Sequence, residues 1–146
     1  MGWAAELSRW VDDLNLAVTN ALLTDVADIV RGEIANAVQT EVYDVYEPAV
    51  YRRKGANDGL KDFSNMEATV ADIGKGTKEL AVTDLRMDEK IGRFVAPIVE
   101  SGEGYVYDFD WNGIPRPFHS VAQERLDQTE IENALANSLR SWGFKL

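Results

Sequence analysis

The segment AAELSRWVDDLNLAVTNALLTDVADIVRGEIANAVQTEVYDVY, Ala4 to Tyr46, decides the fold. It contains no proline, and its one glycine is Gly32. Apolar residues recur at Leu7, Trp10/Val11, Leu14, Val18, Ala21/Leu22, Val26, Ile29/Val30, Ile34, Ala37/Val38 and Val42. Steps of three and four place them on one face of a helix. Asp12, Asp13, Asp25, Asp28 and Glu33 fill the gaps. Pro48 sets the far limit, because the residue before a proline avoids the helical region. Some forty residues of helix would span ~60 Å, whereas a compact domain of this chain length has a diameter of roughly 40 Å. Either the helix breaks near Thr24-Asp25, whose side chains can cap a new helix, or it is continuous and its apolar stripe needs a partner chain.

Beyond this segment the pattern changes. Tyr51-Arg52-Arg53-Lys54-Gly55 leads into Asn57-Asp58-Gly59, a turn signal. Met66–Ile73 and Thr77–Thr83 flank Gly74-Lys75-Gly76 and read as a β-hairpin. Asp84–Arg93 is polar and reads as a loop. Phe94–Glu100 and Gly104–Trp111 read as further strands, the first at an edge or bulge because of Pro97. In the second, Tyr105, Tyr107, Phe109 and Trp111 share one face. Ser120 is a cap candidate for a last helix carrying Val121, Leu126, Ile131, Leu135 and Leu139, closed by Gly143. The expected architecture is α+β: a long N-terminal helix and a C-terminal helix packed on a small antiparallel sheet of three to four strands. A single domain, 1–146, is expected, with a helical segment 1–47, a loop 48–65, a β region 66–114 and a C-terminal helix and tail 115–146.

Composition narrows the function. The 146 residues carry 25 acidic and 15 basic side chains, a net charge of −10, with one histidine and no cysteine. Disulfide scaffolds, thiolate metal sites and cysteine nucleophiles are therefore excluded, and so are multi-histidine metal centres. The acid excess opposes a grip on nucleic acid or anionic membrane, which calls for a basic footprint. The start, Met1-Gly2-Trp3-Ala4-Ala5-Glu6, has no basic n-region, so a cytosolic origin is the expectation.

Enzyme motifs fail one by one. Gly74-Lys75-Gly76-Thr77 lacks the upstream glycine of a phosphate loop, since position 69 is Thr. Gly102-Glu103-Gly104 lacks the third glycine of a dinucleotide fingerprint, which falls at Tyr107. His119 has no nucleophile elbow to serve. Asp108 and Asp110, with Glu100, are the one set suited to a metal-dependent hydrolase; their plainer reading is a solvated strand face. No cofactor is expected.

Three features ask for a different explanation. Tyr43, Tyr46, Tyr51, Arg52 and Arg53 crowd around Pro48 where the first helix ends; Tyr and Arg are enriched at interface hot spots, although such tyrosines also pack on their own sheet. Ile114-Pro115-Arg116-Pro117-Phe118-His119 is a stiff entry to the last helix. The third is the apolar face of the first helix.

Taken in order, these pieces resemble a known family. Val42-Tyr43-x-x-Tyr46-x-Pro48-x-x-Tyr51-x-Arg53, Gly59-Leu60 with Asp62, Ile98-Val99-Glu100-Ser101-Gly102, Arg116-Pro117-Phe118, Ala134-Leu135 and Gly143-Phe144 are similar to the neck, tail-completion or head–tail joining proteins of long-tailed, siphophage-type phages. Glu100-Ser101-Gly102-Glu103 stands where that family has a Glu-x-Gly-Thr-like element. The resemblance implies a non-enzymatic virion protein that assembles as a homo-oligomeric ring between connector and tail and lets DNA pass without holding it. On that reading, Tyr43, Tyr46, Tyr51, Arg52, Arg53, Arg116, Phe118 and His119 are expected to lie at or support subunit contacts. A ring buries apolar surface that a monomer exposes, and acidic walls repel phosphates. The alternatives are the hydrolase above and an adaptor that pairs its first helix with another helix.

Overall fold

The computed structural model describes residues 2–44, 59–88, 92–103 and 113–145. Helix α1 runs Trp3–Ala21 and α2 Ala27–Val38. Leu22–Val26 between them, and Gln39–Tyr43 after α2, are wound as π turns. The backbone at Ala21, Leu22 and Ala27 is right-handed helical, so Thr24-Asp25 widens the helix without ending it. The Thr24 hydroxyl supplies the reason. Instead of capping a new helix it donates to the Asn20 carbonyl four residues back, at 2.7 Å, a bond that disturbs the helical ladder locally.

Strands β1 (Met66–Gly74) and β2 (Thr77–Asp84) form the expected hairpin. Lys75 and Gly76 both take positive φ, +50° and +75°, which a two-residue hairpin loop requires. The rest of the β region departs from expectation. Instead of one sheet of three to four strands, the described residues hold two sheets of two strands. The second pairs β3 (Met87–Asp88) with β4 (Arg93–Phe94), Met87 opposite Phe94 and Asp88 opposite Arg93; all but Phe94 fall in the stretch read as loop. The strand expected over Gly104–Trp111 lies outside the described residues.

The strand expected over Phe94–Glu100 is a helix, α3 (Val95–Ser101). Pro97 is its third residue, where the missing N–H is one that the first turn leaves unbonded in any case. Ala96 and Val99 are both buried, a spacing of three that suits a helix and not a strand. The single C-terminal helix is likewise two, α4 (Phe118–Arg125) and α5 (Gln128–Ser141). Leu126 is extended, and Asp127 caps α5: its Oδ1 accepts from the Thr129 and Glu130 N–H groups at 2.9 and 3.2 Å. Ser120 lies inside α4 and is not its cap. Gly143 ends α5 as expected: at φ +99° it lets its own N–H and that of Phe144 reach the Arg140 and Leu139 carbonyls.

The chain divides into two compact units. The first comprises Met1–Ile29, Ala68–Ala81 and Asp127–Leu146. In it α5 lies along α1 and the π turn after it, and its buried apolar side chains are Ala17, Ala21, Val26, Ala27 and Leu139, most of them small. The second comprises Val30–Glu67 and Val82–Leu126. Its core joins Ile34, Ala37, Val38 and Val42 of the long helix to Leu60 and Met66, to Ala96 and Val99 of α3, and to Phe118 and Ala122 of α4. Polar ties hold the same pieces: Arg31 Nε donates to the Met66 carbonyl at 3.1 Å, and Arg125 reaches Thr40 Oγ1 at 2.9 Å and Glu41 Oε1 at 3.3 Å.

Candidate functional site

The second unit contains a partly buried polar node drawn from three elements. His119, in the first turn of α4, accepts the Asp84 backbone N–H on Nε2 at 3.2 Å. An accepting Nε2 fixes the tautomer, so Nδ1 carries the proton and meets Glu100 Oε1 of α3 at 2.5 Å. The same oxygen accepts the His119 backbone N–H at 2.9 Å. α4 begins at Pro117 without a side-chain cap of its own, so a carboxylate from α3 supplies one, placed where the helix dipole favours an anion. His119 thereby fastens the end of β2 to α3 and α4.

Asp84 is the fully buried member. Its side chain is 1% exposed. Oδ1 accepts the Arg86 N–H at 3.1 Å, while Oδ2 is buried with no hydrogen-bond partner among the described residues. Burial pushes its carboxyl up from 3.8 to about 7, and Asp62 adds to the rise; the Arg86 N–H and guanidinium oppose it. The folded state therefore keeps a proton that the unfolded chain releases near pH 3.8. Stability that the group contributes at low pH is lost as pH rises toward 7. Asp84→Asn removes this titration. At pH 8 the variant should be more stable than the parent by ~2 kcal/mol, and at pH 4 the two should nearly coincide. Urea unfolding of both at several pH values measures the gap; a gap independent of pH would contradict the assignment.

The node ties β2, α3 and α4 together. Both imidazole nitrogens are engaged, and Glu100 is committed to α4. Asp108 and Asp110 lie outside the described residues. Among the described residues no group of three or more His, Asp or Glu could hold a metal ion.

The expected interface residues divide three ways. Tyr46, Tyr51, Arg52 and Arg53 lie outside the described residues. Tyr43 is half-buried against the core of the second unit. In the Arg116-Pro117-Phe118-His119 run, Phe118 has no exposed surface and Arg116 is 5% exposed. The Arg116 N–H donates to the Val99 carbonyl at 3.0 Å. The segment thus seats α4 on α3, and His119 continues the work in the polar node. Sequence spacing did not point to Asp84; the only local hint is an acid closing the apolar run of β2.

Of the twelve exposed large apolar side chains among the described residues, α1 carries five, Leu16 on a different side from the rest. Trp3, Leu7, Trp10 and Val11 are all exposed, while Ala17 and Ala21 on the same face are buried. Trp10 meets Phe144 edge-on with ring centres 6.2 Å apart, yet remains half exposed. No described helix is long and apolar enough to cross a membrane.

The relatives of this α+β chain give it a phage origin. The "SPbeta prophage-derived uncharacterized protein YomN" of Bacillus subtilis (strain 168) is 29% identical over 111 residues, covering 72% of this chain and 69% of that protein. The family model described as YomN matches residues 6–141, and the chain belongs to the YomN family. No solved structure matches it.

Proposed function

We propose that this phage-derived chain is a non-enzymatic virion protein of the head–tail junction, a neck or tail-completion subunit that assembles as a ring between capsid connector and tail. The observation that carries the reading is the uncovered apolar face at the start of α1, where two tryptophans and a leucine stand in solvent. A monomer has no use for it, and an assembly buries it. The prophage-derived relative and the ordered motifs from Tyr43 to Phe144 support the same reading. The net charge of −10 suits a channel that lets DNA through without binding it.

A nonsense mutation in the gene, in the phage that encodes it, tests the proposal. The expected lysate holds DNA-filled heads and separate finished tails, and adding the purified protein joins them and restores infectivity. Joined, infectious particles made without the protein would sink the reading, as would a block before heads are filled or tails are made.

A further inference from the structure

We propose that the first three turns of α1 are a docking seam for one helix of a different protein, an amphipathic helix whose apolar stripe is flanked by Lys or Arg. Trp3, Leu7, Trp10, Leu14, Ala17 and Ala21 follow one another in steps of four and three, the spacing of a helix–helix seam. Within this chain α5 covers α1, and Ala17 and Ala21 are buried. At the other end the seam is open: Trp3 is 76% exposed and Leu7 50%. An occupant that continues the same packing is another helix.

Size and charge define that occupant. Uncovered Trp3, Leu7, Trp10 and Val11 together leave on the order of 400 Å² of apolar surface, about half of what one partner gives to a standard protein interface. That suits a single helix better than the face of a globular domain. Glu6 and Asp13, seven residues apart and both exposed, run along one side of the seam, while Ala4 and Val11 line the other. Arg9 lies further round the helix. A second copy of α1 is a poor fit in either direction. Laid antiparallel, the Glu6/Asp13 line meets its own counterpart, and like charges repel. Laid parallel, it meets the apolar Val11 side and is desolvated without a counter-charge. A foreign helix with basic flanking positions satisfies the acids and buries the tryptophans together. The inference shares the α1 face with the proposed function and assigns that face to a partner of another sequence, not to a second α1; the peptide experiment can fail while the lysate experiment succeeds, so the two readings are tested apart.

Two synthetic 21-residue heptad peptides serve as probes, both with Leu in the seam, one flanked by Lys and one by Glu. Tryptophan fluorescence of the full chain reads binding. The Lys peptide should bind at least about tenfold more tightly than the Glu peptide at low salt, with the gap closing as salt rises. Glu6→Lys with Asp13→Lys should reverse that preference, and Asp72→Lys with Glu79→Lys should leave it as it was. Leu7→Ala with Trp10→Ala, checked for retained helix by circular dichroism, should lose both peptides. Three outcomes would overturn the proposal: equal binding of the two peptides, identical behaviour of the two charge-swapped variants, or a chain that sediments as a dimer with Trp3 and Trp10 already shielded.

Discussion

Phe118→Ala should cost the protein about 3–5 kcal/mol of stability, read as a lowered urea midpoint with a nearly unchanged slope. Phe118 is the largest of the fully buried side chains among the described residues. It belongs to the cluster that brings α4 onto the long helix and α3. Its removal leaves a void in a cluster whose other members include Met66 and Val38, themselves fully buried. The walls therefore have little freedom to collapse, which places the loss in the upper part of the usual range. The effect extends to the polar node, because the next residue is His119. A loosened α4 would weaken the hold on Asp84 N–H and on Glu100. The variant should consequently lose protection from hydrogen exchange at Asp84 as well as in α4. A loss below about 1 kcal/mol would mean that this core is far more yielding than its burial indicates.

Gly102→Ala should be comparably damaging for a different reason. Gly102 ends α3 at φ +74°, a conformation that costs an L-residue with a side chain about 1–2 kcal/mol. A β-carbon there would also stand 2.4–2.6 Å from the backbone C, O and N atoms of Ile114. Backbone cannot step aside as a flexible side chain does, and this backbone is tied down: the Gly113 N–H donates to the Gly102 carbonyl at 2.6 Å. Strain and overlap together should remove ~2–5 kcal/mol. Gly113→Ala is the instructive control. Gly113 also has positive φ, +82°, but nothing lies within 4 Å of its would-be β-carbon, so it should show the conformational cost alone. Equal losses at the two positions would argue against the close approach of Ile114.

How much of this could be read from the chain depends on whether the cause is local. The helical run, the hairpin at Gly74-Lys75-Gly76 and the stop at Gly143 are set by spacing and by backbone freedom within a few residues, and all three are legible. The α+β class follows from them. α3 was hidden because Val95, Ile98 and Val99 have strand propensity and Pro97 reads as an edge-strand residue; its placement in a helical first turn depends on burying Ala96 and Val99 together. The break before α5 had a local signature, Asp127 three residues ahead of Glu130, that a continuous apolar spacing masked. The apolar stripe of the first helix was legible as a stripe, but not where its cover ends, because α5 supplies the cover from more than a hundred residues away. The polar node is the least legible part. Asp84, Glu100 and His119 are joined only by the folding of β2, α3 and α4, and a half-buried histidine looks the same in sequence whether it serves an interface or an anchor.

The division into two units carries a consequence for synthesis. The second unit, Val30–Glu67 with Val82–Leu126, is complete in sequence once Leu126 has been made. The first draws on Asp127–Leu146, so α1 waits through the translation of almost the whole intervening chain before α5 can cover Ala17 and Ala21. For that interval the entire seam from Trp3 to Ala21 is open on a nascent chain. The helix proposed to receive a foreign partner thus also goes uncovered until α5 is made, and chaperones or an early-bound partner would meet it there.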